Sequence, residues 1–346
     1  MKHVRWFVFP ILMLVLVACA SAPEPTATPE PTPDDILRIG LVVGTGGVDD
    51  GGFNQLALAG VTNVSRRLGA ELEYVVPGVD ANRAELESMA ESGLYEIIVT
   101  VSFEMTDITR EVAASFPDVH FVGIDQFQLE TLPNVTGILF PEDQAGYLAG
   151  FLAASLSETG IVGGVYGPES VGPVAAFARG YEVGAVAANP GVEVLTVFHP
   201  GGVDVAFSDI PWGQEQGDAQ LDAGADVVFA AAGDTGRGAL IAVANRTQDV
   251  EGQLYCIGVD TDQWLTAQQA RPCLVSSAVK AIPQAVDDVI AQVVDGVPPS
   301  GNYFGPAGLA PFHDFEDDVP DALQTRLQAL EDDLTAGVIT VEDTSE

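Results

Sequence analysis

Positive charge is scarce in this sequence of 346 residues. It contains 13 lysine and arginine residues against 50 aspartate and glutamate residues, so the formal net charge is −37 at pH 7. Binding of nucleic acid needs clustered lysine and arginine to neutralise phosphates, and this balance argues strongly against it. The same charge opposes electrostatic adhesion to anionic lipid. It is typical of a solvated, self-repelling surface.

Cysteine and histidine are also rare, with three and four residues. These few ligands have no clustered spacing, so a zinc site is not expected. The sequence has no G-x-S-x-G elbow and no HExxH motif. Paired carboxylates occur throughout the chain and leave a two-acid enzyme open. We nevertheless expect a binding protein that has no catalytic residues, no metal and no cofactor.

Long apolar runs are absent except at the N-terminus. A basic start at residues 2–5 leads into an apolar run at residues 6–17, which is too short to span a bilayer. The run ends in Leu-Val-Ala-Cys at Cys19, which resembles a bacterial lipobox. We therefore predict a lipoprotein signal peptide at residues 1–18 and lipid on Cys19. The alternative is an ordinary signal peptide with a chance cysteine.

The segment after Cys19 lacks large apolar residues. Residues 20–35 read ASAPEPTATPEPTPDD, a composition that cannot bury enough surface to fold. Its prolines favour an extended spacer. We predict that residues 19–36 are a tether that holds the folded part of the chain at the outer face of the cell membrane. A mere disordered tail is the simpler alternative.

The two other cysteines, Cys256 and Cys273, begin two neighbouring apolar segments. Outside the cytoplasm such residues can form a disulfide if the segments are adjacent strands. Free buried thiols are an equally good interpretation.

Short apolar runs alternate with amphipathic stretches from residue 37 onward. In the first half, strands are predicted at 37–43, 71–76, 96–101, 120–124 and 135–140, and helices at 53–68, 82–91 and 106–116. In the second half, strands are predicted at 161–166, 192–198, 227–232, 255–259 and 273–279, and helices at 172–187, 211–223, 236–245, 264–270, 281–294 and 320–334. This alternation predicts two doubly wound lobes with parallel sheets. Ligands bind at the carboxyl ends of such strands.

The loop after the first strand is rich in glycine and acid. It reads GTGGVDDGGFNQ and contains Asp50, Phe53 and Asn54. The spacing does not fit a dinucleotide loop, and two aspartates would repel a pyrophosphate. A turn with Asp50 near the helix N-cap explains the acid and the glycines. An aromatic ring beside polar groups at this edge favours a stacking platform.

Three charged residues follow later strands directly. Asp125 and Asp260 each come at the carboxyl end of an apolar strand that also contains glycine, and Lys280 directly follows the predicted strand at 273–279. Each aspartate alone would more often be a turn residue. Lys280 is one of two lysines in the chain, the other being Lys2. We expect it to lie in the cleft, paired with a carboxylate, most simply Asp260.

Two further segments contain candidate ligand-binding residues. Phe207 and Trp212 lie between a strand and a helix, and either ring could form a second aromatic face. Packing of Phe207 as a hydrophobic staple is the alternative. Gly233 begins GDTGRG after another strand, and we predict a loop that approaches a ligand closely.

These segments together resemble the basic membrane lipoprotein family, which includes purine nucleoside receptors of bacterial ABC transporters. The similar segments keep family order and are DDGGFNQ from Asp49, FPDVHFVGID from Phe116, AGYLAG from Ala145, GADVVF from Gly224, AGDTGRG from Ala232, IGVDTDQ from Ile257 and SSAVK from Ser276.

The resemblance implies a type I periplasmic-binding-protein fold, with two lobes joined by a hinge. The lobes would comprise residues 37–142 with about 280–303, and residues 143–279 with about 304–346. The protein would be a monomer that delivers a purine nucleoside (inosine, guanosine or adenosine) to an ABC transporter permease.

In this family the purine lies between two aromatic rings. Phe53 matches the first ring and Phe207 is similar in position to the second, with Trp212 as its rival. Asp125 and Asn54 match positions at the base edge. Asp260 and Lys280 match positions at the ribose. The remaining implied ligand-binding residues are Asp50 and Gly233.

Three alternatives stay open at this point. The same fold could bind a sugar or another small solute. It could present its ligand to a membrane kinase as a sensor. An extracellular nucleosidase is the enzymatic alternative.

Overall fold

A computed structural model describes residues 1, 36–44, 47–78, 81–248 and 252–341. The predicted signal peptide, Cys19 and the spacer up to residue 35 lie outside the described residues, apart from Met1. Residues from Leu37 onward form one unit.

The described residues contain twelve strands. They are β1 Arg38–Val42, β2 Glu71–Val75, β3 Ile97–Val101, β4 His120–Ile124, β5 Val135–Leu139, β6 Ile161–Tyr166, β7 Glu193–Phe198, β8 Val227–Ala231, β9 Tyr255–Asp260, β10 Leu274–Lys280, β11 Gly301–Phe304 and β12 Ala307–Leu309.

Eleven α-helices lie between or after these strands in the described residues. They are α1 Phe53–Leu68, α2 Asn82–Glu91, α3 Thr106–Ala113, α4 Glu142–Leu156, α5 Gly172–Ala188, α6 Val203–Ala206, α7 Ile210–Asp222, α8 Gly233–Thr247, α9 Gln263–Thr266, α10 Ile282–Val294 and α11 Asp321–Thr335.

The strands form two six-stranded sheets. The first has the order β11-β5-β4-β3-β1-β2, and the second has the order β12-β10-β9-β8-β6-β7. All pairings are parallel except that of β10 with β12. The central strands β3 and β8 are buried along their whole length, as expected for strands covered by helices on both faces. The prediction of two doubly wound parallel sheets is confirmed.

The chain crosses between the sheets at three points. The crossings lie between β5 and α4, between β10 and α10, and between β11 and β12. We propose that they form the hinge between a first lobe, which carries the first sheet, and a second lobe, which carries the second sheet. The lobe boundaries would then lie close to those that the resemblance implies, with Glu142 and Lys280 at the crossings.

Helix α4 is the main element that the sequence analysis missed. It is apolar around most of its circumference, with ten of its 15 residues buried, so it has no amphipathic period. The short strands β11 and β12 were also missed, since four and three residues carry little pattern. The loop predicted at GDTGRG is wrong, because α8 begins at Gly233 and the motif forms its first turns.

Helices α4 and α5 pack unusually closely because glycines face each other across their contact. A Cβ atom at Gly150 would overlap the carbonyl oxygen of Tyr181, and one at Gly184 would overlap that of Tyr147. Gly146 and Gly180 make equivalent approaches to Phe177 and Asp143. This contact fixes the start of α4 beside the middle of α5, where Phe177 lies.

Cys256 and Cys273 are bonded in the structure, with their Cα atoms 5.1 Å apart. Cys256 belongs to β9 and Cys273 directly precedes β10, which is its parallel neighbour. The disulfide therefore joins the amino ends of the two strands whose carboxyl ends carry Asp260 and Lys280.

The close contact of α4 and α5 predicts that Gly184→Ala destabilises the protein. The added methyl group meets backbone that cannot move aside, and such overpacking costs about 1–3 kcal/mol or more. This exceeds the about 1 kcal/mol that alanine gains in helix propensity. Denaturant unfolding should show the loss. Gly78→Ala is the matched control, because a Cβ atom there meets nothing within 4 Å. Equal stability of the two variants would contradict the packing argument.

Candidate functional site

A cleft of about 200 Å³ lies between the two sheets, at the carboxyl ends of their strands. It is lined by residues of both lobes, as the fold requires of a ligand site. The structure brings all eight predicted ligand-binding residues to this cleft, namely Asp50, Phe53, Asn54, Asp125, Phe207, Gly233, Asp260 and Lys280.

Asp50 organises the loop that follows β1. Its carboxylate accepts hydrogen bonds from the backbone N–H groups of Gly52 (3.0 Å), Asn54 (2.8 Å) and Gln55 (3.0 Å). These groups at the start of α1 have no partner within the helix, and a negative charge is favoured there. The predicted capping role of Asp50 is therefore present, and it holds Phe53 and Asn54 at the cleft.

Three residues that line the cleft have left-handed backbone conformations although none is glycine. The φ angles are 90° at Ser102, 58° at Asp125 and 63° at Asp260. Such conformations cost free energy and concentrate at functional sites. The side-chain amide of Gln126 supports this edge, because it donates to the carbonyl oxygen of Ser102 and to the hydroxyl of Thr100, at 3.1 and 2.9 Å.

The ammonium of Lys280 is the centre of a buried charge cluster. Its Nζ atom lies 2.7 Å from Oδ2 of Asp125 and 2.8 Å from Oε1 of Glu142. The side chains of Lys280 and Asp125 are 2% and 7% exposed. Asp125 follows β4 of the first sheet and Lys280 ends β10 of the second, so the ion pair joins the two lobes.

The expected pairing of Lys280 with Asp260 is wrong. In the parallel register Asp260 lies opposite Val279, and Lys280 is one residue further along. Lys280 and Asp260 are therefore not direct partners across the sheet, although the charge of Asp260 still raises the pKa of the lysine. Glu142, which no sequence signal singled out, takes the second place on the ammonium.

Burial dominates the ionisation of this cluster. It raises the pKa of Glu142 to about 7 and that of Asp260 to about 6, and Lys280 opposes both shifts. Burial also disfavours the charged form of Lys280, but the carboxylates of Asp125, Glu142 and Asp260 outweigh it and raise the pKa of the lysine. One ammonium thus balances three carboxyl groups.

Four phenylalanine rings line the cleft. Phe53 and Phe103 belong to the first lobe, and Phe177 and Phe207 to the second. Trp212, the rival of Phe207, is absent from the cleft lining. It packs edge-on against His199, with ring centroids 4.4 Å apart.

Gly233 lies beneath Phe207. Its φ angle is 56°, and a Cβ atom there would lie 3.0 Å from the carbonyl oxygen of Phe207. The same oxygen accepts a hydrogen bond from the N–H of Asp234 at 3.0 Å. Glycine at this position therefore lets the backbone that carries Phe207 approach the start of α8.

Several lining residues were missed from the sequence. Ser102, Phe103 and Glu104 directly follow β3, so the rule that placed the other candidates would have found them. Phe177 had no signal, because it lies within an apolar helix face. The further lining residues that were missed are Val171, Pro173, Val174, Val203, Asp204, Ser208, Ala231, Ala232, Asp234, Val259 and Gln263.

Two solved solute-binding proteins have the same fold as this chain. One from Aeropyrum pernix K1 superposes with a TM-score of 0.75 at 22% identity and covers 88% of this chain and 92% of its own. Another from Conexibacter woesei has a TM-score of 0.69 at 26% identity and covers 88% and 98%. Both are described as ABC transporter system solute-binding proteins. The predicted type I periplasmic-binding-protein fold is confirmed, and the fold and cleft define a two-lobed solute-binding protein.

The family model described as ABC transporter substrate-binding protein, PnrA-like, matches residues 36–303. The chain belongs to this family, as the resemblance predicted. A family of this kind implies a small solute as ligand and a transporter permease as partner. Within the described residues, no helix is long and apolar enough to cross a membrane. The same residues contain no group of three or more His, Cys, Asp or Glu side chains suited to a metal ion.

Curated relatives cover most of the chain. An uncharacterized lipoprotein of Pyrococcus abyssi is 31% identical over 266 residues, which are 75% of this chain and 64% of that protein. Basic membrane protein A of Borreliella burgdorferi is 29% identical over 255 residues, with coverage of 73% and 71%. A CD4+ T-cell-stimulating antigen of Listeria innocua is 29% identical over 278 residues, with coverage of 76% and 75%.

The charge cluster predicts that Lys280→Met destabilises the protein in a pH-dependent way. Removing one partner from a buried ion pair costs about 3–5 kcal/mol. The pKa values of Glu142 and Asp260 are already raised in the folded protein, and loss of the ammonium raises them further. The folded state then binds protons more tightly than the unfolded state, so stability falls as pH rises through these pKa values and recovers in acid.

Unfolding free energies at about pH 5 and pH 8 should therefore differ more for Lys280→Met than for the wild type. Arg67→Met is the control, because its pair with Asp287 is exposed and such pairs contribute about 0–1 kcal/mol. A loss no larger than that of the control at both pH values would contradict a central role of Lys280.

Proposed function

We propose that this protein is the lipid-anchored substrate-binding component of an ABC importer and that it binds a purine nucleoside between its lobes. The observation that carries the proposal is that Phe53 and Phe207 enter one cleft from opposite lobes. Two rings on opposite walls suit a flat aromatic ligand, and stacking of a base on an aromatic side chain is worth about 1–3 kcal/mol in nucleic-acid binders.

The polar groups of the cleft suit a ligand rich in N–H and O–H groups. Oδ2 of Asp125 is bonded to Lys280, while its buried Oδ1 has no hydrogen-bond partner among the described residues. A buried acceptor of this kind is costly unless a ligand supplies a donor. In this proposal Asp125 and Asn54 contact the base edge, and Asp260 and Lys280 hold the ribose.

Charge at the cleft favours an unphosphorylated ligand. The carboxylates that line it belong to Asp50, Glu104, Asp125, Asp204, Asp234 and Asp260, and Lys280 supplies the one lining ammonium among the described residues. Because Lys280 is already shared by two carboxylates, an added phosphate would meet uncompensated negative charge.

Two observations support the proposed lipid anchor. A receptor that delivers solute to a permease must stay at the membrane, and the spacer gives it reach. The Pyrococcus abyssi relative is described as a lipoprotein. These two observations support lipidation at the outer face of the cell membrane.

A sugar is the principal competing ligand. A neighbour with the same fold, at 18% identity and a TM-score of 0.60, was solved with D-arabinose. Sugar binding would make one of the two aromatic walls dispensable, so the ring variants below separate it from nucleoside binding.

Isothermal titration of the purified protein with inosine, guanosine and adenosine should show sub-micromolar binding of at least one of them. The corresponding monophosphates should bind about tenfold more weakly or worse, because each added charge faces the acidic lining. Recovery of intact nucleoside by chromatography after long incubation would also remove the nucleosidase alternative. Absence of heat with all three nucleosides would remove the nucleoside assignment.

Ring variants serve as the controls for that titration. Phe207→Ala should weaken nucleoside binding by about 1–3 kcal/mol, because it deletes one stacking surface. Trp212→Ala should leave the affinity unchanged, since the indole packs outside the cleft lining. An unchanged affinity of Phe207→Ala would favour a ligand that needs one ring, such as a sugar.

Cys19→Ser should release the protein from the membrane fraction, because serine lacks the thiol that accepts the lipid. Cell fractionation followed by immunoblotting measures this, with Cys273→Ser as the matched cysteine control that should stay at the membrane. Retention of Cys19→Ser in the membrane fraction would count against the anchor.

A further inference from the structure

Glu142 is a buried charged residue to which the proposed function assigns no role. It is the first residue of α4, directly after the chain crosses from the first sheet to the second. Its side chain is 11% exposed and is absent from the cleft lining. Among the described ion pairs, Glu142 is connected to a residue of the cleft lining only by its pair with Lys280.

We propose that Glu142 is a positioning residue, which in its ionised form holds the ammonium of Lys280 where a bound ligand can use it. The proposal deepens the nucleoside-binding function above and rests on it. According to this proposal, the ligand affinity depends on the charge of Glu142, although Glu142 does not touch the ligand.

Within the described residues, the ammonium of Lys280 has more N–H donors than protein acceptors. A lysine ammonium has three N–H donors. Two of them have acceptors at hydrogen-bond distance, in Asp125 and Glu142. Lys280 itself lines the cleft between Phe53 and Phe177, whose ring centres lie 5.3 and 5.7 Å from Nζ. The third donor is therefore available to a ligand oxygen only while the first two acceptors hold Nζ in place.

The two acceptors of the ammonium belong to different parts of the fold. Asp125 belongs to the first lobe, whereas Glu142 begins a helix that packs on the second sheet. Nζ is thus held from two sides. Without the charge on Glu142, the ammonium is drawn towards Asp125 and Asp260, and it competes with the ligand for their oxygens.

The charges that act on Glu142 are those of Lys280, the last residue of β10, and of Asp125, which follows β4. Asp260, the last residue of β9, acts on Lys280. Asp143, the next residue of α4, has its carboxylate 3.8 Å from Arg179 of α5. Because burial raises the pKa of Glu142 to about 7, this residue changes its charge near neutral pH.

The affinity of the wild type should therefore rise with pH across neutrality. If ligand binding lowers the pKa of Glu142 by about one unit, the affinity changes about tenfold between the protonated and ionised limits. The probe is guanosine, titrated calorimetrically between about pH 6 and pH 8.

Glu142→Gln should bind more weakly than the wild type at the upper pH, and its profile should lose the step at about pH 7 while keeping any contribution of Asp260 at about pH 6. Glu142→Asp keeps the charge and should restore a step. Asp143→Asn is the matched control on the same helix and should keep the wild-type profile. A purely structural role of Glu142 would lower stability and leave the shape of the profile unchanged, which would overturn the proposal.

A measurement without ligand separates this proposal from the nucleoside assignment. The sequence contains two lysines, so lysine labelled with carbon-13 at Cε gives few NMR signals, and Lys280→Arg identifies that of Lys280. The Lys280 signal should shift at about pH 7 in the wild type, whereas in Glu142→Gln only the shift that Asp260 causes at about pH 6 should remain. A shift without guanosine binding would remove the nucleoside and keep the positioning role. If the Lys280 signal does not change while Glu142 titrates, the positioning role is overturned even if guanosine binds.

Discussion

One ammonium group holds the floor of this protein's cleft together. Lys280 lies between Asp125, which follows a strand of the first sheet, and Glu142, which begins a helix on the second. All three side chains are nearly inaccessible to water, where an unpaired charge is strongly unfavourable. The relative position of the sheets' carboxyl ends is therefore tied to one buried cation that has two carboxylate partners.

The packing around this cluster holds its members in register. The disulfide between Cys256 and Cys273 joins β9 and β10 at their amino ends, and the carboxyl ends of the same two strands carry Asp260 and Lys280. The glycine contact of α4 with α5 places Glu142 and Phe177 near each other. The left-handed backbone conformations at Asp125 and Asp260 cost free energy, and both residues line the cleft.

Much of the site followed from the order of residues along the chain. In a parallel sheet every strand ends at the same edge, so residues such as Asp125, Asp260 and Lys280 that directly follow apolar runs are expected to meet. The same rule covers Ser102, which directly follows β3. It could not cover Phe177, because a residue on an apolar helix carries the same pattern whether it faces a core or a cleft.

The sequence by itself determined the two-sheet architecture, the acidic surface and the set of strand-end residues, because these depend on local periodicity and on composition. Only the tertiary structure decided which partners those residues have. It replaced Asp260 by Asp125 and Glu142 beside Lys280, placed Phe207 in the cleft and Trp212 outside it, and joined the two cysteines. Such choices depend on distances between residues far apart in the chain, which no local pattern encodes.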